Sequence, residues 1–207
     1  MIFEWFPVGP FQCNCIILAC EETRTAAVFD PGEEADEILR RLAALGLKAA
    51  FLFHTHAHLD HIGATDAVQK KTGAVTALHE EDMMLCENLQ VQADLFGLPA
   101  PPVPVIDRFL RHGDSFAFGK EKVEVVYTPG HTPGSVSFYI PAFGLLTGDT
   151  LFAGSIGRTD LWGGSYPQLI ESIQKRLLSF SDETTVYPGH GPRTTIGRER
   201  QTNPFLV

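Results

Sequence analysis

Nowhere in this chain does an apolar run approach the ~20 residues that a membrane-spanning helix needs. The first residues, Met1-Ile-Phe-Glu-Trp-Phe-Pro7, carry no basic segment ahead of an apolar one, so no secretory signal is read and the expected location is the cytoplasm. Cations are scarce as well. Sixteen Lys and Arg stand against 25 Asp and Glu, a net charge of −9, which argues against a general nucleic-acid surface and against an anionic membrane surface. Cysteine is sparse and unpatterned: Cys13, Cys15, Cys20 and Cys86 include no CxxC pair. Cys13 and Cys15 would share one face of a strand, where a disulfide would be strained. All four are therefore read as reduced, mostly buried thiols. What is left is an ordinary globular composition. With 44% hydrophobic and 20% charged residues in 207 positions, the chain can bury a full core.

Taken in order, Pro7 to Pro10 reads as a turn, Phe11 to Ala19 as a strand, Glu21 to Thr23 as a hairpin tip and Thr25 to Phe29 as the next strand. Asp30-Pro31-Gly32 ends it, and Glu33 to Leu45 has a helical stripe of Ile38, Leu42 and Leu45 with Gly46 as the stop. Lys48 to Phe53 is a strand, Ile62 to Thr72 a helix, Val75 to Leu78 a short strand, and His79 to Leu95 helical in pattern. The proline-rich link from Pro99 to Pro104 is not a domain boundary, because strand-like sequence resumes at once, and one domain over 1–207 is expected. The second half reads as strands at 122–128, 135–140 and 144–147, a helix at 166–178 with Leu169, Ile173 and Leu177 inward, and a last strand at 184–187. Strands followed by helices in each half favour a layered α/β fold with helices covering sheets.

The chemistry begins at Phe51-Leu-Phe-His-Thr-His-Ala-His-Leu-Asp-His61, which holds four of the eight histidines. An apolar strand ends where this polar cluster starts. In extended chain, alternate side chains point the same way, so His56, His58 and Asp60 can converge on one point while His61 turns to a second point beside it. Imidazole and carboxylate together suit Zn, Fe, Mn or Ni far better than Ca or Mg. A solvated His-rich loop is the bland alternative, and the position at a strand end disfavours it.

Three later stretches repeat this grammar of a ligand-type residue just past a strand and next to glycine: Thr128-Pro-Gly-His131, Thr147-Gly-Asp149 and Tyr187-Pro-Gly-His190. Glycine permits tight bends and close approach, and proline fixes the turn. Alone, each would be an ordinary turn. Together with the cluster they make five imidazoles (His56, His58, His61, His131, His190) and two carboxylates (Asp60, Asp149), about what two first-row metals sharing a bridging water require. His54 is read as strand-end packing or as support for the cluster, and His79 and His112 as ordinary histidines.

Thr55-His-Ala-His-Leu-Asp-His61, followed by His131, Asp149 and His190, resembles the metallo-β-lactamase fold superfamily over nearly the whole chain. The resemblance implies an αββα sandwich with metals at one sheet edge. It implies that His56, His58 and His131 hold a first metal, that Asp60, His61 and His190 hold a second, and that Asp149 bridges them. Within the superfamily, Thr147-Gly-Asp-Thr-Leu-Phe-Ala-Gly-Ser-Ile-Gly-Arg158-Thr-Asp160, Tyr187-Pro-Gly-His-Gly191 and Glu199-Arg-Gln-Thr-Asn-Pro-Phe205 resemble the short glyoxalase II-like branch, without the C-terminal helical domain of the long enzymes. That implies two divalent cations, zinc first with iron or manganese as alternatives, and hydrolysis of a small acyl-thiol compound such as S-lactoylglutathione. In this scheme a bridging hydroxide attacks, Asp60 orients it, and Arg158 meets a substrate carboxylate or pairs with Asp160. Arg158 stands where the long enzymes offer a lysine, and Asp160 where they offer an aromatic. Gly157-Arg-Thr-Asp160 also resembles the persulfide dioxygenases, which would use one iron on His56, His131 and Asp149. A β-lactamase, a nuclease and a non-catalytic metal module are less favoured.

Overall fold

The computed structural model describes residues 1–207. Its first sheet has six strands in sequential order: β1 (Ile2–Val8), β2 (Cys13–Ala19), β3 (Thr25–Phe29), β4 (Lys48–Phe53), β5 (Val75–His79) and β6 (Arg108–Leu110). β1–β3 form an antiparallel meander, and β3–β6 run parallel. Parallel neighbours need crossovers. These are α1 (Ala35–Ala44) after β3, and α2 (Leu59–Ile62) with α3 (Thr65–Thr72) after β4. Between β5 and β6 the chain makes a 3₁₀ turn, α4 (Met83–Glu87) and α5 (Leu89–Phe96).

The second sheet comprises β7 (Ser115–Phe118), β8 (Glu121–Tyr127), β9 (Val136–Ile140) and β10 (Gly144–Gly148); a small separate hairpin, β11 (Leu151–Phe152) and β12 (Ser155–Ile156), follows in the chain. After α6 (Tyr166–Ser172), which continues as a π-turn to Leu177, β13 (Thr185–Pro188) and β14 (Thr194–Thr195) complete that sheet, in the order β14-β13-β10-β9-β8-β7. α7 (Ile196–Thr202) closes the chain.

Alternation of side chains turns this order into layers. Ile16, Leu18, Phe29, Phe53, Phe118, Val123 and Phe138 fill the space between the sheets, with the Phe29 and Phe53 rings stacked 5.4 Å apart. The residues between them on the same strands, Ile17, Val28 and Leu52, face the other way and pack on Ile38, Leu42 and Val68 of α1 and α3. Leu145 and Val186 do the same for the second sheet against Leu169, Ile173 and Leu177. Each such large apolar side chain contributes about 1.5–3 kcal/mol of burial. The layers are therefore helix, sheet, sheet, helix, and the α/β sandwich expected from the sequence is borne out. Every residue of β2 is buried, because that strand is covered on both faces.

Local boundaries differ in instructive ways. β1 occupies a stretch in which Pro7 to Pro10 reads as a turn. Pro7 fits because β1 is an edge strand and spares its missing N–H. The helical pattern from His79 to Leu95 is broken into three short pieces, since Asp82 is drawn inside rather than left on a solvent face. The four cysteines are buried and free.

Candidate metal centre

The polar cluster sits where strands of both sheets end. β3, β4 and β10 deliver Asp30, the 54–61 tract and Asp149 just past their carboxyl ends, and β8 and β13 deliver His131 and His190. β10 and β13 are parallel neighbours, so Asp149 and His190 emerge side by side. Three backbone bonds lock these ends together: Val136 N–H to the Thr55 carbonyl (2.8 Å), Gly189 N–H to Gly148 (2.8 Å) and Asn14 N–H to Gly189 (2.7 Å). Gly189 cannot be replaced freely, because a Cβ there would overlap Asp149 Oδ1.

All seven residues singled out from the sequence for metal are brought together, in two groups. In the first, His58 Nδ1 lies 3.1 Å from His56 Nε2 and 2.9 Å from His131 Nε2. In the second, His190 Nε2 lies 3.3 Å from His61 Nε2 and 3.2 Å from Asp60 Oδ2. Asp149 stands between them. Its Oδ2 is 3.6 Å from His131 Nε2, and its Oδ1 is 3.4 Å from His61 Nε2 and 3.7 Å from His190 Nε2. Strand alternation alone would put Asp60 with His56 and His58. It goes to the other group because β4 has already ended at Phe53 and α2 begins at Leu59, so Asp60 and His61 leave from a helical turn.

The donor set fits a cation. The outer ring nitrogens are already committed: His131 Nδ1–H to the Arg158 carbonyl (2.8 Å), His190 Nδ1–H to the Phe11 carbonyl (3.1 Å), His61 Nδ1–H to Asp30 Oδ2 (3.0 Å) and His56 Nδ1–H to Thr55 Oγ1 (3.0 Å). Their inward nitrogens are then bare lone pairs. Burial, reinforced by neighbouring imidazoles, pushes His56 well below its ordinary range and His58 down to about 3. Burial lowers His131 too, against the pull of Asp149. In this first group protons are thus poor candidates to hold the lone pairs together, whereas His61 and His190, beside the carboxylates of Asp60 and Asp149, are shifted upward against their burial. Asp149 Oδ1 is buried and no hydrogen-bond donor reaches it. The inward atoms are spaced much like the ligand atoms of a tetrahedral ion with ~2.05 Å bonds, which stand about 3.3 Å apart.

Two buried carboxylates that sequence reading passed over hold the arrangement. Asp30 Oδ1 accepts Thr55 N–H (2.7 Å), and its Oδ2 accepts the Thr55 hydroxyl (2.8 Å) as well as the His61 ring. Asp30 shares the grammar of the three later sites, a polar residue past a strand and beside glycine, so a signal for it existed. Asp82 had none. It accepts Ala57 N–H (2.9 Å), Gly134 N–H (2.6 Å) and the Thr132 hydroxyl (2.8 Å), tying the His56–His58 segment to the His131 loop. Burial pushes its carboxyl up to about 6, against the stabilising pull of those donors. Asp82→Asn keeps the volume but turns an N–H₂ toward a donor. Metal affinity is expected to fall about 10–100-fold, as for other supports of a metal-binding loop, with far-UV dichroism unchanged; wild-type affinity by competitive chelation would refute this.

The remaining histidines stay outside the cluster. His54 is buried, between the Ala77 carbonyl (3.1 Å) and Thr65 Oγ1 (2.7 Å). His79 stacks on Tyr127, and His112 Nδ1 accepts Tyr127 N–H. Cys13 Sγ lies 3.5 Å from His61 Nδ1, close enough to His61 and His190 to count among their possible co-ligands, but burial pushes its thiol up to about 12. Arg158 lines the cavity over the cluster, with its guanidinium gripped by Asp160 through two 2.7 Å bonds. Arg193, Arg198 and Arg200 do not line that cavity.

A helix–sheet–sheet–helix sandwich with a His/Asp cluster at the strand ends defines a class of metal-dependent proteins. The chain belongs to the metallo-β-lactamase superfamily, whose model matches residues 8–190. It is 40% identical to the hydroxyacylglutathione hydrolase GloC of Haemophilus influenzae, over 100% of this chain and 98% of that one. Among solved structures, it is similar to the B3 metallo-β-lactamase BLEG-1 (TM-score 0.93, 39% identity, all of both chains). It is also similar to TTHA1623 in a di-iron-bound form (TM-score 0.88, 40% identity, 98% of this chain and 100% of that one). No helix of the chain is long and apolar enough to cross a membrane.

Proposed function

We propose that this protein is a two-metal hydrolase of thioesters, related in activity to the hydroxyacylglutathione hydrolases. The observation that carries the two-metal part is the position of Asp149, whose two oxygens face the two donor groups separately. On this reading His56, His58 and His131 hold one divalent ion, Asp60, His61 and His190 hold the other, and Asp149 touches both. Zinc fits the imidazole-rich donors, and iron or manganese fit them as well. Such ions supply Lewis acidity and make water acidic enough to attack near neutral pH.

The chain's own residues do the rest. Asp149 fixes the separation of the two donor groups. Asp60, with 19% of its side chain exposed at the cavity floor and its carboxyl held below the ordinary range by His61 and His190 against the effect of burial, is placed to orient the attacking water. The net change is hydrolysis: the acyl C–S bond breaks, a C–O bond forms, and the water's protons end on the departing thiolate and in solvent. The identity to GloC supports a thioester as the substrate.

A one-metal persulfide dioxygenase would leave His58, Asp60, His61 and His190 without a task. His61 and His190 stand beside Asp149, with Asp60 beside both of them, and this second group favours the two-metal reading. The test is metal content of protein purified without added metal, together with turnover of S-lactoylglutathione, glutathione persulfide under oxygen, and a chromogenic β-lactam. About two metals per chain with thiol release is the expected result. One iron per chain with oxygen uptake and no hydrolysis would replace it, and β-lactam turnover alone would reassign the substrate.

A further inference from the structure

The cavity over the cluster has a volume of about 360 Å³, within the range of small-molecule sites. Its floor is polar: His58, Asp60, His131, Asp149 and His190. Its walls are not. Eight of its fifteen lining residues are hydrophobic, and they come from five places in the chain: the turn before β2, α2, α4, α5 and the loop after Arg158. Several are openly exposed at the mouth, with Leu95 74% and Val91, Phe96 and Trp162 about half accessible. Phe11 and Phe96 meet edge to face across the rim at 5.1 Å. α5 turns Val91, Leu95 and Phe96 outward while Leu89 and Ala93 anchor it in the core. Exposed apolar side chains gathered around a polar floor mark a binding surface rather than packing.

Charge supports the same conclusion. Arg158 is the one lysine or arginine in the lining, and Asp160 occupies the Nε–Nη2 edge of its guanidinium. A glutathione arm carries two carboxylates and one ammonium, and above the metal-binding floor the lining sets against them a single guanidinium, already paired along one edge with Asp160. It would also have to be desolvated against Leu95, Phe96 and Trp162, at a cost no partner here offsets.

We infer that the site selects an acyl-thiol compound with a long apolar acyl chain and an uncharged thiol arm, in preference to one with a short acyl chain or a charged, glutathione-like thiol arm. This rests on the thioester-hydrolase reading for its chemistry, but the selection itself is a property of the rim and can be measured without turnover.

The experiment is calorimetric binding of non-hydrolysable thioethers to the protein as purified: S-hexyl- and S-methyl-N-acetylcysteamine, and S-methylglutathione. Apolar transfer gives up to about fourfold per buried methylene, so the hexyl compound is expected to bind at least about 30-fold tighter than the methyl one. S-methylglutathione is expected to bind no tighter than S-methyl-N-acetylcysteamine. In a Val91→Asp/Leu95→Asp variant, whose changes lie on the exposed face of α5, the hexyl-to-methyl ratio should fall below about threefold. Equal affinities for hexyl and methyl, or tightest binding of S-methylglutathione, overturns the inference, as does a ratio that survives in the variant. In parallel, kcat/KM is compared for hexanoyl-N-acetylcysteamine and S-lactoylglutathione, with the hexanoyl ester expected to lead. Strong hexyl selection with no thioester hydrolysed would uphold the inference about the rim and sink the hydrolase reading, so the two failures are distinguishable.

Discussion

Asp149→Ala is expected to lower thioester turnover by at least about three orders of magnitude and to leave less than one metal per chain. The size follows from what the side chain does. Its two oxygens face opposite donor groups, 3.6 Å from His131 and 3.4 Å from His61, so one truncation removes a donor from both sites at once. On the two-metal reading it also removes an anion that would offset the charge of two ions in a buried setting, where electrostatic effects are stronger than in water. The fold has little reason to suffer. Asp149 makes no hydrogen bond through Oδ1, and the strand that carries it is held by its neighbours β9 and β13. Metal analysis, dichroism and turnover should therefore separate cleanly, with secondary structure retained and the other two lost. Full metal content with full activity would mean that Asp149 is not shared, and the two-metal proposal would fall.

How much of this could be read from the sequence depends on whether a feature is local. β3 and β4 were placed at Thr25–Phe29 and Lys48–Phe53, as observed, because buried central strands are continuous apolar runs with sharp ends. Edge strands are not. β1 contains Pro7 and alternates irregularly in burial, and β6, β7 and β14 are short; their pairing is decided by neighbours far away in the chain. The candidate site residues were legible because the 54–61 tract opens where β4 ends, and His131, Asp149 and His190 each follow a strand with glycine beside them. The reason first offered for Asp60, alternation along an extended strand, did not hold, since a helical turn intervenes at Leu59. The family resemblance grouped Asp60 with His61 and His190, which is where the chain brings it. Asp82 was illegible for a physical reason. Its role is to accept donors from residues 25 and more positions away, and nothing in Glu80-Glu-Asp82 distinguishes a buried carboxylate from a solvated one.

Asp30 makes the second large expected effect, through a proton rather than a metal. It lies at the end of β3 with a positive φ of 49°, an uncommon conformation for a residue with a side chain. From there it reaches both halves of the site. Its Oδ2 receives the His61 Nδ1–H directly and the Thr55 hydroxyl, which in turn receives the His56 Nδ1–H. One carboxylate therefore sets the tautomer of a ring in each donor group, leaving Nε2 bare in both. Asp30→Asn preserves shape, yet an amide can accept on one side only. With its oxygen kept by Thr55 N–H, its N–H₂ must face His61 Nδ1. The His61 ring then answers by moving its own proton to Nε2, the nitrogen that points at His190 and Asp149. A protonated Nε2 cannot ligate. A tautomer error of this kind costs up to about 10⁴ in kcat in the serine-protease triad; here the expectation is a loss of about 10²–10⁴ in turnover with the fold intact. Metal should be lost first from the site that holds His61. Because the damage is a misplaced proton, Asp30→Glu, which restores an acceptor at some cost in fit, should recover part of the loss, whereas a merely structural Asp30 would make the larger residue the worse one. Ring-nitrogen chemical shifts of His61 read the proton's position directly, and an unchanged Nδ1–H in the asparagine variant would overturn the account.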